Sequence, residues 1–228
     1  MLGILGGLGP LASAEFLKTI YRLNPVDSEQ DAPSCVLLSD PSFPDRTEAI
    51  LKGSTELLAA RLTRALEELS SRGAERIVIA CVTIHHVLPV VPERLRRRVV
   101  SLLDLIVQEV KASGQPHLFL ASTGTRAAQI FERHEGWGSV AEWIRFLDED
   151  DQRELHDWIY RLKRGEPAED CLAWLESLPS RYGTDRFIFA CTELHLLQEP
   201  ISRSTGIIQA PRIVDPLLSV ARDLRKLL

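Results

Sequence analysis

Arg76-Ile-Val-Ile-Ala-Cys81-Val-Thr-Ile-His85 and Arg186-Phe-Ile-Phe-Ala-Cys191-Thr-Glu-Leu-His195 are two copies of one pattern, nearly half the chain apart. We call them the first and second strand–thiol segments. Each contains a basic residue, a short apolar run, an alanine and a cysteine. Such runs are typical of buried strands in parallel sheets. The cysteines then follow the carboxyl ends of strands, where open α/β sheets bind ligands. The repeat predicts two related lobes that direct one thiol each at a shared site.

The first half of the chain alternates between strand-like and helix-like patterns. A predicted strand at residues 2–5 leads through Gly6-Gly7-Leu8-Gly9-Pro10 into a predicted helix at residues 11–23. The glycine-rich turn fits neither a dinucleotide fingerprint nor a P-loop, but its backbone amides can approach a carboxylate. A predicted strand at 35–39 and an amphipathic helix at 54–72 follow. Residues 99–106 then predict a further strand, and residues 107–112 a helix.

The second half starts again with His117-Leu-Phe-Leu-Ala-Ser122-Thr123-Gly124-Thr125, which indicates a strand, a turn and a helix. Residues 137–178 are acidic and rich in tryptophan, and we predict them to be largely helical. A strand at 206–209 and a closing helix from 215 to 228 complete the chain. The alternation predicts an α/β fold of two pseudo-symmetric lobes, each a parallel sheet flanked by helices. We place the N-terminal lobe at 1–113 and the C-terminal lobe at 114–208, with 209–228 returning to the N-terminal lobe.

The composition excludes several classes of protein. The 228 residues carry a formal net charge of -5, which argues against nucleic acid as a partner because its binders are usually basic. No apolar run approaches the roughly 18 residues of a membrane span. The N-terminal sequence lacks the features of a signal peptide, so we expect a cytoplasmic protein with reduced cysteines.

Three interpretations of the paired cysteines are open. The two thiols can be buried structural groups or a disulfide. They can also bind zinc together with His85 and His195, each four residues after a cysteine. Finally, they can act as acid and base on either side of an α-carbon, since the reference cysteine pKa of about 8.5 is readily lowered by nearby cations. In that case nearby hydroxyls can hold an α-carboxylate and Glu193 can bind an ammonium group or orient a neighbour.

The chain resembles the cofactor-independent aspartate/glutamate racemase family, in its aspartate racemase branch. The resemblance covers nearly the whole chain and rests on the glycine-rich turn, Asp40-Pro-Ser-Phe-Pro-Asp45-Arg46-Thr47, Cys81-Val82-Thr83, Ser122-Thr123-Gly124-Thr125 and Cys191-Thr192-Glu193. It implies two α/β lobes with a site between them, a small amino-acid substrate and a homodimer. It also implies a two-base mechanism without pyridoxal phosphate, metal or other cofactor.

The resemblance also implies roles for individual residues. Cys81 and Cys191 become the two catalytic bases, and Arg46 binds the distal carboxylate of an acidic substrate. The α-carboxylate and ammonium are assigned to Thr83, Thr125 and Thr192. Lys163 matches a lysine that approaches the substrate. The remaining predicted substrate-binding positions are Leu8, Val82, Ser122 and Glu193.

Two departures from the family pattern keep alternatives open. The family has asparagine where this chain has Val82, and its tail has threonines and a histidine after the aspartate that Asp215 matches. The tryptophans at 137, 143, 158 and 174 either line a wider pocket or pack within and between subunits. The alternatives are a racemase or single-thiol isomerase for a different or larger substrate, or a catalytically idle ligand-binding homologue.

Overall fold

The computed structural model describes residues 1–203 and 212–227, and it contains two separate parallel β-sheets. Within these residues the strands are β1 (Leu2–Gly6), β2 (Cys35–Ser39), β3 (Arg76–Ile79), β4 (His117–Leu120), β5 (Ile144–Phe146), β6 (Phe187–Phe189) and β7 (Ile213–Val214). The first sheet has the order β2-β1-β3 and the second β5-β4-β6-β7. All pairs are parallel, so the predicted α/β class with two parallel sheets is confirmed.

Helices cover both sheets. They are α1 (Pro10–Leu23), α2 (Arg46–Leu51), α3 (Glu56–Ser71), α4 (Glu93–Arg96), α5 (Leu102–Ser113), α6 (Thr123–Ala127), α7 (Glu149–Lys163), α8 (Ala168–Leu175), α9 (Pro179–Tyr182), α10 (Gln198–Arg203), α11 (Pro216–Arg222) and α12 (Leu224–Leu227). Short 3-10 helices lie at Glu29–Asp31, Thr83–Val90, Trp137–Ser139, Ala141–Trp143 and Thr192–Leu197. Within the described ranges, no helix has the length and apolar character that a membrane crossing requires.

One sequence prediction is wrong. The apolar stretch at 99–106 forms mainly the start of α5, because the Ser101 hydroxyl accepts a hydrogen bond from the Asp104 amide and caps the helix. Only Val99 pairs with the first sheet, through one bridge to Ile77. The tryptophan-rich stretch at 137–178 is largely helical, as predicted, with α7 and α8 as its main helices. It also contains the short strand β5, which pairs with β4. The predicted strand at 206–209 lies outside the described residues.

The apolar core joins the two lobes. A central cluster unites residues of both sheets, among them Leu2 and Ile4 of β1 and Ile188 of β6. A first-lobe cluster includes Cys81, and a second-lobe cluster includes Cys191. At the C-terminal end β7 pairs with β6, whereas α11 packs against α1 and α5. The lobe boundaries drawn from the sequence therefore stay a prediction.

Two glycines bring the lobes into close contact. A Cβ atom placed on Gly9, before α1, would lie 2.6 Å from Glu193 Oε1 of the other lobe. Conversely, a Cβ atom on Gly124 of α6 would lie 2.7 Å from the Thr47 Cα atom. At Gly124 the close atom belongs to the backbone, so a larger residue would force the two segments apart, whereas at Gly9 the Glu193 carboxylate would have to move.

Candidate active site

A narrow cleft lies where the two lobes meet. Its lining comes from the carboxyl ends of β3, β4 and β6 together with α2 and α7. It consists of Asp45, Arg46, Thr47, Cys81, Thr83, Ser122, Lys163, Cys191 and Glu193. Seven of these residues were predicted from the sequence as site residues. Parallel sheets place the ends of their strands together, which explains why distant segments converge here.

The two cysteines occupy equivalent positions in the two lobes. Each lies two residues beyond the end of its strand, and each is 5 % exposed. A 3-10 helix begins immediately after Cys191, and another begins two residues after Cys81. Both thiols are free, as are those of Cys35 and Cys171. The two thiols are therefore present in one cleft without a disulfide between them.

Cys191 has a carboxylate as its partner. Its thiol donates a hydrogen bond to Glu193 Oε2 at 2.9 Å. Burial raises the pKa of the Cys191 thiol well above its ordinary value, and the charge of Glu193 raises it further while Lys163 opposes the shift. This thiol is therefore protonated at neutral pH.

Cys81 has a cation as its neighbour. Arg46 is buried, and its guanidinium donates to the backbone carbonyls of Pro44, at 3.1 Å, and Leu8. Burial opposes the positive charge, but nearby Cys81, Glu193 and Asp45 favour it and raise the pKa of Arg46. Its Nε atom is buried with no hydrogen-bond partner in the described part of the chain. The first thiol thus lies beside a fixed positive charge with donor capacity to spare.

Three hydroxyl groups form a triangle at the cleft. Thr83 Oγ1 lies 3.1 Å from Ser122 Oγ and 2.9 Å from Thr125 Oγ1, and the latter two are 3.1 Å apart. The Thr125 amide donates to Ser122 Oγ at 3.2 Å, which caps α6. Hydroxyl hydrogens rotate to suit their partners. The triangle can therefore turn its O–H donors toward a bound carboxylate.

A lysine, a tyrosine and a carboxylate complete the mouth of the cleft. Lys163 Nζ of α7 lies 3.9 Å from both Asp45 Oδ2 and Glu193 Oε1. The Tyr160 hydroxyl donates to Asp45 Oδ2 at 2.7 Å. Asp45 also accepts from the Glu48 amide and so caps α2, which carries Arg46. The helix α7 of the second lobe is thereby joined to the arginine-bearing turn of the first.

Four predicted substrate-binding residues are not among those that line the cleft, namely Leu8, Val82, Thr125 and Thr192. Leu8 and Val82 are each 1 % exposed and pack in the first-lobe and central clusters, respectively. Leu8 contributes its carbonyl, which holds Arg46. The Thr192 hydroxyl donates across the lobes to the Ala80 carbonyl at 3.0 Å. These residues support the cleft from behind.

Comparison with known proteins agrees with this geometry. The family model for Asp/Glu/hydantoin racemase matches residues 5–224. The chain belongs to this family. Family membership confirms the sequence prediction of a racemase.

Solved structures of racemases share the fold. Aspartate racemase from Picrophilus torridus is 23% identical, with a TM-score of 0.76 over 99% of this chain and 92% of that one. An aspartate racemase homologue from Pyrococcus horikoshii is 22% identical, with a TM-score of 0.69 over 99% and 97%. Glutamate racemase from Campylobacter jejuni is 18% identical, with a TM-score of 0.60 over 99% and 84%. The racemase fold thus extends along the whole chain.

The two histidines of the zinc interpretation have other partners. His85 Nδ1 lies 3.0 Å from the Cys81 carbonyl, and burial lowers the pKa of His85 to about 4. Both nitrogens of His195 bond elsewhere, to Asp215 and Thr19. Among residues 1–203 and 212–227, no group of three or more metal-ligating side chains comes together. The Cys-x-x-x-His spacing of this racemase therefore does not bring four zinc ligands to one point.

Sequence reasoning did not assign a role to three residues at the cleft. Asp45, Thr47 and Tyr160 lie beside residues that were predicted, Arg46 and Lys163. The first two belong to the motif at residues 40–47 and flank its single arginine. Tyr160 is three residues before Lys163, and this helical spacing puts both side chains on one face of α7. That periodicity was the signal that could have identified it.

Proposed function

We propose that the protein racemises an acidic amino acid, with Cys81 and Cys191 as the two bases. The observation that supports this most strongly is the opposite electrostatic setting of two thiols in one cleft. One lies beside the Arg46 cation, whereas the other donates to the Glu193 carboxylate. A two-base reaction at an α-carbon needs one deprotonated and one protonated group, and this arrangement favours such a pair.

The reaction would proceed by proton transfer alone. One thiolate removes the α-proton, the electron pair moves toward the α-carboxylate, and the opposite thiol protonates the carbon from the other face. The hydroxyls of Thr83, Ser122 and Thr125 are placed to donate to the developing charge on the α-carboxylate. Arg46 and Lys163 supply positive charge for a second carboxylate on the substrate. The products are the opposite enantiomer and an enzyme with its single transferable proton moved to the other sulfur.

A deuterium-exchange screen tests this function. The protein is incubated in heavy water with L-aspartate, L-glutamate, their D-enantiomers, the remaining amino acids and a 5-substituted hydantoin. Chiral chromatography with mass spectrometry should show the opposite enantiomer of one acidic amino acid, carrying one deuteron at the α-carbon. A double variant with serine at 81 and 191 is the control. Absence of exchange with every compound would contradict the racemase function. Exchange with an apolar amino acid alone would instead support a racemase for a different or larger substrate.

We also propose that the enzyme works as a homodimer in the cytoplasm. The resemblance to a family of dimers and the exposed apolar side chains Leu51, Leu57 and Val90 support the dimer. The free cysteines suit a reducing compartment. Sedimentation-velocity measurements should give a species of twice the chain mass, and a single-chain mass at micromolar concentration would contradict this assembly.

A further inference from the structure

His195 is a buried histidine that lies outside the cleft and has a partner on each ring nitrogen. Its side chain is fully buried. Nδ1 lies 2.6 Å from Asp215 Oδ2, and Nε2 lies 3.1 Å from Thr19 Oγ1. A buried polar side chain with both nitrogens satisfied holds its position strongly, because each lost contact would leave a desolvated group.

Asp215 is the fixed end of this contact. Its Oδ2 atom also accepts from Gln198 Nε2 at 2.8 Å, and its Oδ1 atom accepts from the amides of Leu217 and Leu218. Although burial opposes ionisation, His195 and these donors lower the pKa of Asp215. An ionised carboxylate can only accept, so Nδ1 of His195 carries the hydrogen that it receives.

The contacts of His195 with Thr19 and Asp215 connect three structural elements next to the segment that carries Cys191. Thr19 belongs to α1 in the first lobe, Asp215 caps α11, and His195 lies in the 3-10 helix that starts right after Cys191. The same helix carries Glu193, against which Gly9 packs at the start of α1. The Cys191 segment is therefore held along α1 at two points, one on the cleft and one behind it.

We propose that His195, held between Thr19 and Asp215, is a positioning residue that fixes the second thiol relative to the first lobe. This inference rests on the proposed two-base function, since that function gives the thiol spacing its importance. The two sulfurs must reach opposite faces of one carbon, and misplacement by about 1 Å can cost about a hundredfold in rate. In the described part of the chain, the side chain of His85 bonds within its own segment, at the Cys81 carbonyl. The long-range anchor thus belongs to the second strand–thiol segment.

Site-resolved alkylation of the thiols tests the proposal without relying on activity. Wild type, His195→Leu, His195→Asn and Thr19→Val are treated with iodoacetamide, and peptide mass spectrometry follows Cys81 and Cys191 separately. His195→Leu should raise the alkylation rate of Cys191 relative to Cys81 by about tenfold, because loss of buried hydrogen bonds favours local opening. His195→Asn keeps a donor for Asp215 and should give a smaller rise, as should Thr19→Val, which loses only the α1 contact.

His117→Asn is the matched control. His117 is also a buried histidine of the second lobe, but its Nδ1 bonds to the Gln115 carbonyl at the start of β4, away from the cleft. This variant should leave the Cys191 to Cys81 ratio unchanged. If His195→Leu does not fold, His195→Asn and Thr19→Val decide the matter. A ratio within about twofold of wild type in the folded variants, or an equal rise in His117→Asn, would overturn the proposal.

Isotope effects separate this proposal from the proposed function. In His195→Asn, racemisation should slow by about tenfold or more. The α-deuterium isotope effect should grow for only one enantiomer, the one whose proton Cys191 removes, which Cys191→Ser identifies. A purely structural loss would change both enantiomers alike and would contradict a positioning role. If wild type racemises nothing, the proposed function fails, while the alkylation ratio still decides whether His195 positions Cys191.

Discussion

The two strand–thiol segments have the same order of strand, cysteine and 3-10 helix, but the residues around their thiols differ in chemistry. In both, the alanine before the cysteine is fully buried and the cysteine is 5 % exposed. The residue two positions after the thiol is Thr83 in the first segment, where it joins the hydroxyl triangle. In the second it is Glu193, which accepts a hydrogen bond from the Cys191 thiol. A duplicated backbone thus supplies two equivalent positions, and the following residues make one thiol face a cation and the other a carboxylate.

The residue directly after each thiol shows the same divergence. Val82 packs in the central apolar cluster, whereas the Thr192 hydroxyl bonds to the Ala80 carbonyl of the other lobe. The histidines differ as well, since His85 stays within its own segment and His195 reaches α1 and α11. Both segments therefore contact the other lobe, the first through Thr83 and the second through Thr192 and His195.

Replacement of either thiol should have the largest effect. Cys81→Ser and Cys191→Ser should each lower the racemisation rate by about 10²–10⁴-fold, because each removes one acid–base group. The two variants should show enlarged α-deuterium isotope effects for opposite enantiomers, measured with α-deuterated L- and D-substrate. Enlargement for the same enantiomer in both variants would mean that the thiols do not act on opposite faces.

Arg46→Lys, which alters the surroundings of Cys81, should have the second-largest effect on activity. Lysine keeps the charge but cannot reproduce the guanidinium contacts to the carbonyls of Leu8 and Pro44, so we expect a loss of about tenfold to a hundredfold in kcat/KM. Arg64→Lys, on the exposed face of α3, is the control and should match wild type. Equal kinetics for Arg46→Lys and wild type would show that charge alone suffices.

Glu193→Gln should reduce the difference between the two thiols. The charge of Glu193 adds to burial in raising the pKa of Cys191, so its removal should lower that pKa while burial continues to hold it up. Alkylation rates are measured from about pH 6 to about pH 11, which spans the usual range of thiol pKa values. The midpoint of the pH dependence at Cys191 should lie at lower pH in the variant than in wild type. Cys81 in the same sample is the reference. A midpoint that rises or stays would contradict the assignment of Glu193.

Exchanges at the position after the thiol should have the smallest effect on catalysis. Val82→Asn buries an amide among apolar side chains and should cost about 1–3 kcal/mol of unfolding free energy. Thr192→Val loses the bond to Ala80 and should cost about 1 kcal/mol. Urea unfolding measures both. If Val82→Asn is as stable as wild type and more active, its side chain contacts substrate.

Local sequence patterns predicted the elements that carry the site. The apolar runs at 35–39 and in both strand–thiol segments are short, continuous and bounded, and they form β2, β3 and β6. The stretch at 99–106 was ambiguous because its apolar residues suit either period, and the Ser101 cap decides for a helix. The strand β5 is only three residues long and exists because β4 offers an edge. Such pairing is a tertiary effect that local propensity does not contain.

The sequence motifs predicted many of the cleft residues, but they did not predict where the neighbouring side chains point. Arg46, Lys163 and Glu193 lie in the cleft because their motifs end strands or face the other lobe. The inward turn of Val82 into the core depends on packing between lobes, which no residue near it in sequence reveals. The contact of His195 with Asp215 and Thr19 joins distant segments, and it becomes visible only when all three elements are placed.

Two glycines, one on each side of the cleft, determine how closely its two sides can approach. Gly9 meets Glu193 and Gly124 meets Thr47, each without an intervening side chain. These two close contacts, together with the apolar core that joins the lobes, fix how closely the two sides of the cleft approach each other. A methyl group at Gly124 would press on the Thr47 backbone and move the two sides of the cleft apart, which would change the distance from each thiol to the substrate carbon.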